Sequence, residues 1–299
     1  MDINAFKTEI IKELSGRLPE VTIEERPTLK KNRGTLTGLA FHRPDMNMSP
    51  ALYVEDMYQS YIGGQTIEQI ADISADVITD AFENAPELPS IVLDFYEDGR
   101  NLDVALLDSE YSAEYLHDKP YLEKGGGLVL TARLVSPDGM ATAAIANEVM
   151  ENWGITKNQL FEAALKGACE KERPVLRSLE DMIRGEGKDL LTSNKDISGV
   201  NAPLVLTTEN SHNGAKTLFF PGMIEKIQDI LGAQSFYIIP SSVHEVLILP
   251  KDNTDPYNFV QMIGDANRNV VAQSDVLSDD LFICEEGIVR RMSVGGKLL

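Results

Sequence analysis

Residues 203–250 decide the fold: Pro203-Leu-Val-Leu-Thr-Thr208, Gly214-Ala-Lys-Thr-Leu-Phe-Phe220, Met223-Ile-Glu-Lys-Ile-Gln-Asp-Ile-Leu231 and Phe236-Tyr-Ile-Ile-Pro-Ser-Ser-Val-His-Glu-Val-Leu-Ile-Leu-Pro250. This is the most apolar part of the chain. Apolar runs of five to eight residues bounded by Asn-Gly, Pro-Gly and Pro-Ser predict strands at 204–209, 215–220, 235–239 and 243–249. The 3.6-residue spacing of Met223, Ile227, Ile230 and Leu231 predicts a helix over 222–231, stopped by Gly232. A strand hairpin, a helix and a second strand pair make a mixed module.

Outward from it, a helix is expected at 255–267 and a closing hairpin at 281–284 and 288–292, turning at Glu286-Gly287. Towards the N-terminus, residues 184–202 are polar and glycine-rich and are expected to link this module to a middle one at 101–183. That module is expected to hold strands at 102–107, 128–135 and 140–147, with Ser136-Pro-Asp-Gly139 as a turn and Gly125-Gly-Gly127 as a hinge. Helices are expected at 109–117, from Thr156 to about Ala168 (Thr156 and Gln159 forming a capping box) and at 178–183. Leu128-Val-Leu-Thr131 repeats as Leu204-Val-Leu-Thr207, so residues 128–154 and 204–232 suggest a duplicated hairpin-plus-helix unit.

Residues 1–100 are expected to hold a helix at 2–15 stopped by Gly16, a hairpin of 21–25 and 35–41 with a basic tip at Lys30, Lys31 and Arg33, and helices at 50–62 and 66–84. Thr66 and Gln69 form a second capping box. Helix or strand stays open for 86–98. The fold class is α+β, a helical N-terminal part followed by two mixed modules with short antiparallel sheets.

The chain has 299 residues and a formal net charge of −20. Residues 36–120 carry 3 Lys/Arg against 17 Asp/Glu, whereas 121–299 carry 17 against 24. Such a field repels phosphates and anionic bilayers and favours basic protein partners, so neither nucleic acid nor membrane is expected as a partner. An acidic imitation of nucleic acid is an alternative reading of the same cluster. No run approaches the length of a membrane span. The opening Met1-Asp-Ile-Asn-Ala-Phe lacks a basic patch before an apolar core, so no signal peptide is expected, and Cys169 and Cys284 are expected to be buried thiols of a cytoplasmic protein.

On the helix expected at 66–84, Ile67, Ile70, Ala71, Val77, Ile78, Ala81 and Phe82 form the apolar stripe. Glu68, Asp72, Asp76 and Asp80, each four residues from the next, form the opposite face. Like charges at that spacing repel by a few tenths of a kcal/mol per pair, so packing must outweigh them or a cation must offset them. These four carboxylates are the candidate docking surface for another protein with a basic surface. Ser242 and His244 are the weak candidates for a hydrolytic pocket. On a strand they share a face about 7 Å apart at Cα, whereas Glu245 points away, so the residues supply neither an orienting acid nor oxyanion donors. His42, His117, His212 and His244 show no metal-ligand spacing, and neither metal nor cofactor is expected. Trp153 is expected to be a packing anchor.

Leu204-Val-Leu-Thr-Thr-Glu-Asn210, Phe220-Pro-Gly-Met-Ile224, Leu231-Gly232 and Tyr237-Ile-Ile-Pro-Ser-Ser-Val-His-Glu-Val-Leu-Ile-Leu-Pro250 together resemble an uncharacterised Firmicutes family, a domain of unknown function of the DUF5688 type, similar to the YtpQ-like group. Met150-Glu-Asn-Trp-Gly-Ile-Thr156, Leu160-Phe-Glu-Ala-Ala164 and Asp275-Val-Leu-Ser-Asp279 extend the resemblance over roughly 85–285. It implies a cytoplasmic bacterial α+β protein and supplies no catalytic residues. The function expected is that of a non-catalytic interaction protein, with a hydrolase as the alternative.

Overall fold

The computed structural model describes residues 1–30, 34–44, 46, 49–84, 95, 99–136, 142–185, 188–192, 203–251 and 256–292. Two compact units divide the chain, Met1–Val92 and Leu93–Leu299. The basic tip at 31–33, the turn at 137–140 and most of 86–98 lie outside the described residues.

In the first unit, α1 (Ile3–Arg17) buries Phe6, Ile10 and Leu14, and Asp2 caps it by accepting from the Ala5 amide at 2.9 Å. Gly16 lies inside this helix and does not stop it. Strands β1 (Thr22–Lys30), β2 (Gly34–His42) and β3 (Ala51–Tyr53) form an antiparallel sheet in that order. Helices α2 (Val54–Ile62) and α3 (Ile67–Glu83) follow, separated at Gly63-Gly64 as the sequence predicts. Thr66 accepts from the Gln69 amide at 3.3 Å while Gln69 accepts from the Thr66 amide at 3.0 Å, which completes the expected capping box. Leu39, Phe41, Ile70, Ile78 and Phe82 join the α1 residues in one buried core.

The second unit holds two sheets. The smaller comprises β4 (Leu102–Asp108), β5 (Tyr121–Gly125), β6 (Leu128–Val135) and β7 (Thr142–Ala144). Central β6 pairs with β4 along one edge and with β5 and then β7 along the other. The larger runs β13-β12-β10-β11-β9-β8, all antiparallel, from β8 (Pro174–Ser178), β9 (Leu204–Thr208), β10 (Ser235–Ser242), β11 (Glu245–Pro250), β12 (Leu281–Glu285) and β13 (Ile288–Met292). The helices are α4 (Ala113–Leu116), α5 (Asn147–Asn152), α6 (Lys157–Lys171), α7 (Leu179–Ile183), α8 (Met223–Leu231) and α9 (Pro256–Asn269). The fold class is therefore α+β with short antiparallel sheets.

Strand pleating explains why Phe236-Tyr-Ile-Ile reads as continuously apolar. Phe236 and Ile238 enter the main core with Phe282 and Cys284, whereas Tyr237 and Ile239 face Ile263 of α9 together with Leu281 and Ile283. Both faces are covered, so no polar alternation survives.

Several expectations change. Residues 215–220 are not a strand. Gly214–Phe219 is a 3₁₀ helix, because both edges of β9 are already taken, by β8 and β11. The repeat of Leu-Val-Leu-Thr thus sits in two different sheets with different sequels, and the duplicated unit is not present. The strands on either side of the expected linker 184–202, β8 and β9, pair with each other, and residues 186, 187 and 193–202 of that segment lie outside the described residues. Only 113–116 of the expected 109–117 helix forms. Gly125-Gly-Gly127 is no hinge. All three have positive φ (108°, 61° and 82°) in the β5–β6 turn, and a Cβ on Gly125 would stand 2.4 Å from the Val289 carbonyl oxygen. Cys284 is buried but Cys169 is exposed. Trp153 packs on Phe95 with ring centroids 5.8 Å apart. The Glu286-Gly287 turn forms as expected, both residues with positive φ, as a two-residue hairpin of this kind requires.

One buried aspartate of β4, Asp108, binds the two sheets together. Asp108 accepts from Arg291 of β13 at 2.7 Å and from Ser278 at 2.5 Å, and Arg291 also donates to the Gly126 carbonyl at 3.0 Å. Helix α6 meets the turn before β4 backbone to backbone, so a Cβ on Gly167 would stand 2.1 Å from the Gly99 carbonyl oxygen. Gly167→Ala should therefore destabilise the protein by about 1–3 kcal/mol or more through forced separation. Gly16→Ala, in α1 with nothing within 4 Å of the added methyl, should stabilise it by about 0.5–1 kcal/mol. Denaturant midpoints of the two variants check this opposition.

Candidate functional sites

Helix α3 buries Ile70, Ala71, Ser74, Ile78 and Phe82 and turns Glu68, Asp72, Asp76 and Asp80 to solvent. Burying each large apolar side chain contributes roughly 1.5–3 kcal/mol, well above the repulsion along the acidic row. A cation also helps. Arg17, at the end of α1, donates to Asp72 at 2.7 Å and approaches the Glu68 carbonyl at 3.5 Å. Asp80 accepts from the Asn84 side chain at 2.7 Å. The Glu68 carboxyl is held below its usual range, chiefly by a backbone hydrogen bond at the helix N-terminus. The apolar stripe differs from the one expected in that Val77 is 49% exposed, and Ile73, outside that stripe, is 52% exposed. Both lie on the shoulder of the helix between the buried arc and the carboxylates.

In the second candidate pair, Ser242 meets the backbone of His244 rather than its ring. Val243 and His244 form the β10–β11 turn rather than strand, so the alternation argument does not hold for them. The Ser242 hydroxyl accepts from the His244 amide at 3.0 Å. The His244 ring is occupied on both sides: Nδ1 accepts from the Asn213 amide at 3.0 Å, and Nε2 lies 3.5 Å from Asp275. Its carbonyl accepts from Gly214 at 2.9 Å and from the Thr207 hydroxyl at 2.8 Å. The imidazole of His212 lies against it at 4.8 Å. His244 thus fastens the β10–β11 turn to the 3₁₀ helix. Ser241, not Ser242, meets Glu245, at 3.1 Å. Among the described residues no group of three His, Cys, Asp or Glu side chains could hold a metal ion.

Sequence reasoning missed the ionic cluster beneath that helix. Lys216 is 0% exposed and donates to Asp103 of β4 at 2.6 Å and to Glu172 at 2.8 Å. Arg133 of β6 donates to the other oxygen of Asp103 through Nε at 2.8 Å and Nη2 at 2.5 Å. Nothing in the spacing of positions 103, 133, 172 and 216 announces this meeting. Burial works to raise the Asp103 carboxyl, but Lys216 and Arg133 outweigh it and hold it below the usual range. Burial dominates at Glu172 and pushes it up, and its Oε2 has no partner. The cluster locks strand, sheet and helix end together.

Lys216→Met should cost about 3–5 kcal/mol at neutral pH, because it leaves Glu172 without its buried cation and Asp103 with Arg133 alone. The folded-state value of Asp103 lies below its unfolded one, so its contribution is complete above the unfolded value and is lost as pH falls through the folded one. The gap between wild type and variant should narrow over that acidic window in urea titrations run at stepped pH.

No helix among the described residues is long and apolar enough to cross a membrane. Comparison with curated proteins finds no match, and comparison with solved structures finds none. The model of a family of unknown function, DUF5688, matches residues 3–285, so the likeness reaches through the first unit as well as the second. With nearly its whole length matched, the chain belongs to this family of unknown function, DUF5688.

Proposed function

We propose that this is a protein-interaction protein that docks a basic amphipathic segment of another protein along α3. The observation that carries the reading is the exposure of Ile73 and Val77 beside the row Glu68, Asp72, Asp76 and Asp80. An isolated acidic row needs no partner, and isolated exposed aliphatics are ordinary. Side by side on one helix they match a helix bearing an apolar row next to a lysine or arginine row at the same four-residue spacing. Exposed Ile62 and the concave surface at Gly63, Gly64, Gln65, Gln69, Asp72 and Ile73 continue the strip past the α2–α3 turn. The net charge of −20 supports fast, salt-sensitive encounter with a basic partner. The reading includes a cytoplasmic location and, from the residues that resemble it, a Firmicutes source near the YtpQ-like group.

The full chain should bind a synthetic helical peptide carrying a leucine row beside a lysine row. Asp76→Asn/Asp80→Asn should weaken binding about two- to tenfold, and raising salt towards about 0.3 M should weaken it further. Calorimetric titration decides: no binding, or equal binding by wild type and double variant, removes α3 as the docking face.

A further inference from the structure

We propose that Ser49, His42 and Glu24 form an acyl-accepting site in the first unit, with Ser49 as the nucleophile. This inference stands apart from the docking face and uses different residues. Ser49 Oγ lies 2.6 Å from His42 Nδ1, and His42 Nε2 lies 3.0 Å from Glu24 Oε2. A serine held on an imidazole that is itself oriented by a carboxylate is the arrangement that activates a hydroxyl.

The hairpin register builds the first half. Thr22 pairs with His42 and Glu24 with Ala40, which makes Glu24 and His42 diagonal neighbours on one face of the β1–β2 ribbon. The return of the chain builds the second half. The Pro50 carbonyl accepts from the Phe41 amide at 2.9 Å, which sets Ser49 beside the ring. Arg26 donates to the same Glu24 oxygen at 2.7 Å, and this hydrogen bond holds the Glu24 carboxyl below its usual range. Facing the Glu24 carboxylate, Nε2 is placed to carry the ring proton, which leaves Nδ1 to accept from Ser49.

The chemistry follows from that tautomer. Ser49 Oγ attacks an ester carbonyl and passes its proton to Nδ1, and Glu24 stabilises the imidazolium that forms. Collapse of the tetrahedral adduct breaks the ester C–O bond. The departing alkoxide takes the proton from Nδ1, leaving Ser49 acylated and an alcohol released. Water, deprotonated by the same nitrogen, then cleaves the acyl-serine to the acid and free Ser49. Ser49 is exposed and the His42 side chain is 31% exposed, so the site suits small activated acyl compounds such as aryl esters rather than a buried polymer segment.

The full chain is treated with a fluorophosphonate probe, in which Oγ–P forms, fluoride leaves and the proton goes to the imidazole, and the labelled residue is found by peptide mass spectrometry. Labelling should fall on Ser49, vanish in Ser49→Ala and slow about a hundredfold or more in both His42→Ala and His42→Gln. Two variants, each checked for native circular dichroism, separate loss of the base from loss of the hairpin. Glu24 is a positioning residue: Glu24→Gln should slow labelling less than His42→Ala, with Glu24→Asp recovering part of the rate. Labelling is read on the full chain without any docking peptide, so failure of the docking reading leaves this one intact. The proposal is overturned if Ser49 labels no faster than the exposed Ser211, or if folded His42 variants label at the wild-type rate.

Discussion

Two carboxylates on one strand hold the second unit together. Asp103 and Asp108 of β4 are both buried, and a buried carboxylate is tolerated only when cations and hydrogen bonds replace its water. Each finds its cation on a distant part of the chain, Lys216 after β9 for one and Arg291 on β13 for the other. The smaller sheet is thereby pinned to the larger through Arg291 and to the 3₁₀ helix after β9 through Lys216. The apolar core between them supplies most of the driving force, but it is non-directional and does not fix the relative setting of the sheets. The ion pairs are directional, and a half-satisfied network is worse than an apolar core.

The same demand shapes the irregular segments. Lys216 can reach Asp103 and Glu172 only if the chain after β9 turns sharply, which the left-handed Ser211 and Asn213 and the 3₁₀ helix at 214–219 provide. His244 then finishes the turn through its ring and its carbonyl. Its place in the motif Pro-Ser-Ser-Val-His-Glu gives it these turn contacts. Likewise the three glycines at 125–127 serve close approach to β13, where any side chain would strike backbone or the Arg291 guanidinium.

The first unit solves a different problem. Its acidic helix tolerates a repulsive row because Ile70, Ile78 and Phe82 are buried and Arg17 meets Asp72. What remains on the solvent side is an apolar shoulder, Ile73 and Val77, beside Asp76 and Asp80, on which the proposed docking rests. On its sheet, Glu24, Arg26, His42 and Ser49 form a polar chain whose order along the hairpin gives it chemical direction.

Local signals in the sequence were strong where one short stretch contains the whole interaction. Thr66 with Gln69, Thr156 with Gln159, the Glu286-Gly287 turn and the helical spacing of α8 are of this kind, and each forms as read. The acidic row of α3 was legible for the same reason, since a helix makes neighbours of residues four apart. Signals failed where a partner lies far along the chain. Leu-Val-Leu-Thr at 204–207 predicts a strand correctly, but nothing local reveals that β8 and β11 fill both of its edges and force 214–219 into a helix. Asp103, Arg133, Glu172 and Lys216 are ordinary charged residues until the fold buries them together, and Ser49 meets His42 and Glu24 only through hairpin register. The sequence by itself determined many of the elements, the capping boxes and the acidic face, because backbone and short-range side-chain energies act within a turn or two. Tertiary structure alone decided strand order and the meeting of distant charges, because desolvation and pairing depend on what folding brings alongside.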